Sequence, residues 1–174
     1  MCTHPLKNIL ICVIYRQPND SANGHPSSNK ELSEVLDKLK NVIIQLQSPT
    51  PDIIILGDIN LPHVLPNTWK HGFTKRGIPQ DETNMIGSIQ GIIDEFFLEQ
   101  LIDKPTHQDG NILDLIFTNN TDILHSFTCT ETTFSDHHII NCKSTYTQTK
   151  NIDYNTPASS EEKQFESLNF FSEL

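Results

Sequence analysis

A short polar motif directly after an apolar, β-branched segment is the most site-like feature of the sequence. Gly57-Asp58-Ile59-Asn60 follows the run DIIIL at 52–56. In α/β proteins, ligand sites lie where a strand ends and opens into a loop. Two side chains spaced two residues apart can point out of the same strand face. The alternative is an ordinary turn, in which the Asp and Asn side chains satisfy local backbone amides.

Two further motifs contain residues suited to acid–base or metal chemistry. Ser135-Asp136-His137 precedes an apolar segment, and an Asp beside a His can bind a divalent cation or hold an imidazole against a phosphate. The alternative is a polar loop with an incidental His. Asp114 lies inside the apolar run ILDLIF, where a carboxylate is costly to bury unless it is paired. It is therefore either exposed at a sheet edge or partnered by a cation or an imidazolium.

A Tyr–Arg pair stands at the end of the first apolar segment. Tyr15 and Arg16 follow the run KNILICVI, and without further context a core position is the simpler interpretation of Tyr15. His138, which directly follows His137, is interpreted as a residue without a chemical role.

Hydrophobic periodicity predicts the elements that position these residues. Continuous apolar runs at 7–15 and 52–56 predict strands buried on both faces. Between them, Ser28 and Glu31 form a capping signal, and apolar residues recur at helical spacing over 32–46. Strand, helix and strand in this order indicate a crossover unit of an α/β protein. A second helix is predicted over 85–97, and short strands are predicted over 100–103, 112–118, 124–129 and 138–144.

Length, charge and cysteine usage limit the classes of function. A chain of 174 residues fits one domain, and 12 Lys and Arg against 22 Asp and Glu give a net charge of −10. That balance argues against a general nucleic-acid coat. The sequence has no apolar run long enough for a membrane span and no signal-peptide pattern at its start. Cys2, Cys12, Cys129 and Cys142 are scattered, which predicts reduced thiols in an intracellular protein rather than disulfides.

Taken in order, these segments resemble the endonuclease/exonuclease/phosphatase family, and within it the apurinic-type endonuclease domain of non-LTR retrotransposon polyproteins. The matching segments are VIYRQP at 13–18, IILGDINLP at 54–62 with Trp69 downstream, QLIDKPTHQDGNILDLIFT at 100–118 and SDHHII at 135–140. The resemblance covers about residues 7–144. Several motifs in the right order and spacing are more specific than any one of them.

The resemblance implies a fold and a reaction. The fold would be a DNase I-like four-layer α/β sandwich, with two mixed sheets face to face and helices outside. The reaction would be hydrolysis of a phosphodiester with Mg²⁺ or Mn²⁺ as cofactor and DNA as substrate, and the ancestral role would be nicking target DNA for reverse transcription in the nucleus. Such hydrolysis requires an activated water, a sink for developing negative charge and a cation.

The resemblance also implies roles for individual residues. Asp58 would orient or deprotonate the attacking water, and Asn60 would steady the phosphate and the metal site. His137 would hydrogen-bond the phosphoryl oxygen on which charge develops, and Asp114 would fix the tautomer of His137 and favour its charged form. Asp136 would lie on the metal side. Tyr15 would contact the phosphate, and Thr106 and Ser135 would support the site.

The sequence departs from the family at several positions. The family usually has Phe where Ile59 stands and often Arg where His107 stands, and the His weakens any phosphate contact there. The family also begins with a strand bearing an Asn and a strand bearing a Glu, the principal Mg²⁺ ligand, and this sequence has no match for either. We therefore expect an amino-terminally truncated, incomplete sandwich that binds Mg²⁺ or Mn²⁺ weakly. Open sheet edges would favour self-association.

The end of the chain differs in composition from the rest. From about residue 147 the sequence becomes polar and poor in aliphatic residues, as in a linker. We therefore predict an endonuclease/exonuclease/phosphatase domain over 1–146, followed by a polar linker and a short helix over 147–174.

Two other functions remain open alongside the endonuclease. One is a catalytically inactive remnant or binding module of the same fold. The other is a small-molecule phosphatase of the same superfamily, which the NLP…W and PTH…LDLIFT segments favour less. For DNA contact, the loop after Asn60 offers an aromatic residue beside a basic cluster, and the alternative is a solvated loop. The candidate contacts are Trp69, Lys70, Lys75 and Arg76.

Overall fold

A computed structural model describes residues 8–18, 28–46, 51–65, 69, 77–145 and 168–170, and these ranges contain two β-sheets. The first sheet has the strand order β1-β2-β4-β3, with β1 at Ile9–Val13, β2 at Asp52–Asp58, β3 at Glu99–Gln100 and β4 at Asp114–Thr118. The second has the order β5-β6-β7, with β5 at Leu124–Thr130, β6 at Ile139–Ser144 and β7 at Leu168–Phe170. The α-helices are α1 at Ser28–Gln45 and α2 at Gln80–Phe96, and a 3₁₀ turn at Thr121–Ile123 precedes β5.

The predicted crossover unit forms the start of the first sheet. β1 and β2 are parallel, with Ile9 opposite Asp52 and Val13 opposite Leu56, and α1 connects them. Parallel neighbours require such a crossover because a short hairpin cannot join them. Nearly every residue of β2 is buried, as its continuous apolar run predicts. The same prediction is wrong for β1, where Ile11 and Val13 are exposed because this strand lies at the edge of the described sheet.

The register between β2 and β4 determines where the polar residues meet. These strands are antiparallel, and Asp58 pairs with Asp114 at one end of the ladder. Directly opposed residues share a sheet face, so the two carboxylates lie on the same side of the sheet. The sandwich core lies along the rest of this ladder.

The two central strands of the first sheet, β2 and β4, are covered on both faces. α1 and α2 lie on one face, where Ile55 of β2 and Phe117 of β4 line a small apolar space together with Leu36 and Ile92 from the helices. The residues that alternate with them along the strands point to the opposite face and are also buried. One continuous core then extends to Leu124, Ile140 and Cys142 of the second sheet. The described residues are thus layered as helices, first sheet and second sheet, consistent with an incomplete DNase I-like sandwich.

The second sheet contains a strand that the sequence pattern did not predict. Leu168–Phe170 pairs with β6 as an antiparallel strand, in a segment for which we predicted a short helix. Three residues have little local preference, so pairing with the edge of β6 decides their conformation. The rest of the predicted linker and the boundary at 146/147 lie outside the described residues, so they stay predictions.

No helix in the described ranges is long and apolar enough to cross a membrane. Cys12, Cys129 and Cys142 are free, and burial raises the pKa of each thiol, which disfavours the reactive thiolate. Cys2 lies outside the described residues.

Candidate active site

Gly57 shapes the end of β2. Its φ is 141°, and a Cβ at this position would lie 1.8 Å from the carbonyl oxygen of Ile14. Only glycine therefore permits this approach of the two chains. Backbone pairing continues beside it, since the N–H of Ile14 donates to the Leu56 carbonyl at 2.8 Å and that of Arg16 donates to the Asp58 carbonyl at 2.9 Å. This ladder fixes Asp58 beside the end of β1.

A tight turn joins Asp58 to Asn60. Asp58 Oδ1 accepts the backbone N–H of Asn60 at 3.0 Å, and Oδ2 accepts its side-chain amide at 2.8 Å. Asn60 has a φ of 50°, in the left-handed region that Asn tolerates better than most residues. Its amide also donates to the Arg16 carbonyl at 2.7 Å, and the Arg16 guanidinium donates to the Asn60 carbonyl at 2.8 Å. Asp58 and Asn60 therefore form a local turn, which was the alternative interpretation of this motif. The same turn also holds their polar side chains together at the end of β2.

Asp114 is paired with an imidazole, one of the two alternatives that its sequence position allows. His137 Nδ1 lies 2.8 Å from Asp114 Oδ2. Because an ionised carboxylate only accepts hydrogen bonds, Nδ1 carries the proton and donates. The opposite ring nitrogen, Nε2, faces Asp58 at 3.8 Å from its Oδ2. His137 therefore lies between two carboxylates from adjacent strands.

Two predicted supporting residues lie directly behind this pair. Thr106 is fully buried, and its Oγ1 accepts the backbone N–H groups of Leu113 at 2.9 Å and Asp114 at 3.0 Å. Ser135 Oγ accepts the backbone N–H of His137 at 3.1 Å. Each hydroxyl thus fixes the backbone of one partner in the Asp114–His137 bond.

The surroundings shift the protonation of Asp58 and His137. Burial, together with the charge of Asp114, raises the pKa of Asp58 from 3.8 to about 6, although His137 and the hydrogen bonds from Asn60 oppose the shift. Burial disfavours the imidazolium, but the hydrogen bond to Asp114 and the charges of Asp114, Asp58 and Asp136 outweigh burial and raise the pKa of His137. Asp58 and His137 therefore titrate as an interacting pair.

His107 and Asp136 lie beside His137, away from Asp114. His107 and His137 form an isolated antiparallel bridge, and their rings are edge to face with centroids 5.1 Å apart. His107 Nε2 lies 3.3 Å from Asp136 Oδ2. Burial works against the Asp136 carboxylate, but hydrogen bonds from its own backbone N–H and from His107 lower its pKa. Sequence reasoning missed this contact, and no local pattern marks it because it depends on the bridge.

Two overlapping groups of side chains are close enough to share a metal ion. One group is Asp58, Asp114 and His137, and the other is His107, Asp136 and His137; within each group the ligand atoms lie within 4.8 Å of one another. Carboxylate oxygens suit Mg²⁺ and Mn²⁺. The donor set around Asp58 fits such a cation, because two opposed carboxylates share only one imidazole. A bound cation would offset the negative charge of Asp114, which helps to raise the pKa of Asp58.

The other residues named from the sequence belong to neither group of possible metal ligands or lie outside the described residues. Tyr15 is 53% exposed, so the core interpretation is wrong, and strand alternation puts it on the same face as Val13. His138 has a structural contact, because its Nδ1 lies 3.0 Å from the Pro105 carbonyl oxygen. The basic residues Lys70, Lys75 and Arg76 lie outside the described residues, so DNA contact by them stays a prediction.

Trp69 is part of the core. It is 7% exposed, and its ring meets Phe117 edge to face with centroids 5.6 Å apart. A nucleobase cannot stack on an indole that is covered in this way. The structure therefore gives Trp69 a packing position and not the exposed one that its predicted DNA contact requires.

Comparison with known proteins identifies the family. A family model described as endonuclease-reverse transcriptase matches residues 9–141, which is most of the chain. None of the curated proteins matches the sequence. The matched range contains β1 to β5, the first half of β6, and both overlapping groups of carboxylates and imidazoles. The chain therefore belongs to the endonuclease-reverse transcriptase family, as an endonuclease domain of the kind found in retrotransposon polyproteins.

Proposed function

We propose that this domain hydrolyses phosphodiester bonds in DNA with the help of a divalent cation. The observation that carries the proposal is the position of His137 between Asp58 and Asp114, with Nε2 facing one carboxylate and Nδ1 bound to the other. In this arrangement Asp58 can act as a base, His137 as a hydrogen-bond donor and Asp114 as the residue that orients the donor. Hydrolysis by an attacking water requires a base and a donor of this kind.

Asp58 is proposed to orient and deprotonate the attacking water. Its pKa of about 6 makes it a stronger base than an ordinary Asp while leaving it mostly ionised at neutral pH. The two bonds from Asn60 hold the carboxylate in one orientation, so little rearrangement is needed when a water binds. Asn60 would also steady the phosphate, as the family resemblance implies.

His137 is proposed to donate from Nε2 to a phosphoryl oxygen. Negative charge develops on this oxygen during attack, so a charged donor stabilises the transition state more than the ground state. Asp114 holds the imidazole at Nδ1 and raises its pKa, which favours the protonated donor. Tyr15, exposed at the end of β1, is proposed as a phosphate contact.

Carboxylates of this site would hold Mg²⁺ or Mn²⁺. When bound, the cation would neutralise charge on the phosphate and polarise its oxygens. Asp58 offers a buried carboxylate, Asp114 a partly buried one and Asp136 an exposed one. Few protein ligands and an exposed carboxylate fit weak binding of the cation.

The biological setting follows from the family. We propose target-DNA nicking for reverse transcription as the ancestral role, and the nucleus as its location.

We also propose self-association through β1, which is an edge strand in the described part of the first sheet. Ile11 and Val13 on that strand are 46% and 68% exposed, and an exposed apolar edge can accept a strand from a second copy.

A second candidate is a binding module without turnover. One observation favours it: both oxygens of the Asp58 carboxylate already accept hydrogen bonds from Asn60, as they would in a purely structural turn. Such a module would retain the fold and bind DNA without cutting it.

Nicking of supercoiled plasmid in Mg²⁺ separates the two candidates. Hydrolysis predicts that Asp58→Asn and His137→Ala each lower the rate about 100-fold or more, whereas Asp37→Asn, on the exposed side of α1, leaves it unchanged. Equal rates in all variants would reject the catalytic assignment. DNA binding without nicking, unaffected by Mg²⁺, would favour the binding module.

A further inference from the structure

We propose that His107, Asp136 and His137 form a second cation site, selective for Zn²⁺-like transition metals over Mg²⁺. Two imidazoles and one carboxylate are a ligand set that zinc accepts and magnesium does not, because Mg²⁺ prefers oxygen ligands. The fourth position would stay open to solvent beside the exposed Asp136. The site deepens the proposed function, since it shares His137 with the hydrolytic group.

Backbone geometry already brings the ligands together. The bridge between His107 and His137 fixes their main chains, and Gln108 N–H donates to the Asp136 carbonyl at 2.9 Å, which joins the same two segments a second time. Ligand atoms around a tetrahedral Zn²⁺, with bonds of about 2.0–2.1 Å, lie about 3.3 Å apart. His107 Nε2 and Asp136 Oδ2 are separated by 3.3 Å, so that edge of the tetrahedron is in place.

A second observation points to a metal ion: each imidazole has a carboxylate at its far nitrogen. Asp114 Oδ2 lies 2.8 Å from His137 Nδ1, and Asp109 Oδ2 lies 3.5 Å from His107 Nδ1. Histidines that bind metals commonly donate their other N–H to a carboxylate, which orients the ring and makes the ligand nitrogen more basic. His137 has this arrangement in the structure, and His107 has the Asp109 carboxylate close enough to adopt it.

His107 would change tautomer when the ion binds. In the absence of an ion, the Asp109 backbone N–H donates to His107 Nδ1 at 3.2 Å, and His107 Nε2–H points to Asp136. Coordination needs Nε2 without a proton. Nε2 would therefore lose its proton to solvent and Nδ1 would gain one from solvent. The new Nδ1–H would then donate a hydrogen bond to the Asp109 carboxylate. The ring keeps one proton throughout, and the Asp109 side chain replaces its own backbone N–H as the partner.

Occupation of this site would inhibit the proposed hydrolysis. The ion takes Nε2 of His137, the same nitrogen that the proposed function directs to the phosphoryl oxygen. Zn²⁺ and a phosphodiester would therefore compete for His137, and Zn²⁺ would lower the nicking rate supported by Mg²⁺.

Co²⁺ titration of the full chain, followed by its visible absorption and reversed by Zn²⁺, tests the site without DNA. We expect His107→Ala to weaken Co²⁺ binding about tenfold or more. Asp136→Asn should weaken it similarly, and this substitution is at an exposed side chain, so it keeps the result interpretable if His107→Ala does not fold. His138→Ala is the matched control and should bind as the wild type does.

The outcomes separate this site from the proposed function. Wild-type affinity in His107→Ala or in Asp136→Asn would overturn the site, as would an equal loss in His138→Ala. Co²⁺ binding that depends on His107, in a chain that never nicks DNA, would uphold the site and reject the proposed function. Nicking that Zn²⁺ does not inhibit, in a chain without this Co²⁺ binding, would do the reverse.

Discussion

Asp58 and Asp114 face each other across the β2–β4 ladder as directly opposed antiparallel partners. Like charges in this position repel, and the fold offsets the repulsion with hydrogen bonds from Asn60 to one carboxylate and from His137 to the other. Burial, together with the repulsion that remains, raises the pKa of Asp58. Protonation of the site is therefore coupled to folding stability.

The contribution of Asp58 to stability is expected to decrease as the pH rises from 3.8 to about 6. Between these values the folded state keeps a proton that the unfolded state has released, so the free energy of unfolding falls with rising pH. Asp58→Asn should remove this contribution. Urea denaturation across that range should give a difference between wild type and variant that changes with pH. A constant difference would contradict the raised pKa.

His137 is expected to act in the same direction at higher pH. Its folded pKa lies above the ordinary 6.5, so its stabilising effect is complete below 6.5 and is lost as the pH rises through the folded value. Asp114→Asn should remove the partner that raises this pKa, and urea denaturation across this pH range should show the loss.

The same substitution, Asp114→Asn, should lower the nicking rate about 10- to 100-fold, because the His137 ring is no longer held in one orientation. Asp37→Asn is the control, and an equal rate in both variants would reject the positioning role of Asp114.

Thr106→Val is expected to destabilise the fold by about 2 kcal/mol. The valine has nearly the same shape but leaves the N–H groups of Leu113 and Asp114 without their buried acceptor. Thr106→Ser keeps the oxygen and loses one methyl group, so it should cost about 1 kcal/mol. Chemical denaturation of the two variants compares them directly. A larger loss in the serine variant would show that packing, and not hydrogen bonding, makes Thr106 important.

Gly57→Ala is expected to cost about 3 kcal/mol or more. The added Cβ would overlap the Ile14 carbonyl, and the positive φ is unfavourable for alanine. Gly87→Ala is the matched control, because Gly87 lies within α2 with open space around its Cβ position. That change should stabilise the chain by about 0.5–1 kcal/mol. Thermal unfolding should therefore shift in opposite directions for the two variants.

Glu82→Ala is expected to destabilise the fold by about 1–3 kcal/mol. Glu82 is buried in the first turn of α2, and His63 donates to it from its backbone at 3.3 Å and contacts it with its ring at 2.7 Å. This contact ties the loop that follows Asn60 to the helix. Glu95→Ala removes an exposed ion pair with Lys40 and should change stability by less than about 0.5 kcal/mol. Equal effects by urea denaturation would contradict the difference in burial.

The strands and helices could be predicted because burial leaves a clear periodic record. β2 is covered on both faces, so its sequence is continuously apolar, and the helices keep one apolar stripe each. Asp114 was identifiable because a charge within such a run requires a partner. The register that brings Asp114 opposite Asp58 was not predicted, because pairing between distant segments leaves no local signal in the sequence.

Features that depend on long-range contact could not be read from the sequence. Trp69 stands beside basic residues, a composition that suggests nucleic-acid contact, but Phe117 from a distant strand covers its ring. β7 is too short for its own pattern to specify a strand. The contact between His107 and Asp136 exists because two loops form a bridge, and neither loop alone indicates it.

The bond between Asp114 and His137 joins β4 of the first sheet to the segment that leads directly into β6 of the second. We expect the proton in this short, partly buried bond between imidazole and carboxylate to resonate downfield of the amide protons. It can exist only while the two sheets are docked. One NMR signal, that of the His137 Nδ1 proton, therefore reports the assembly of the sandwich, separately from any measurement of secondary structure.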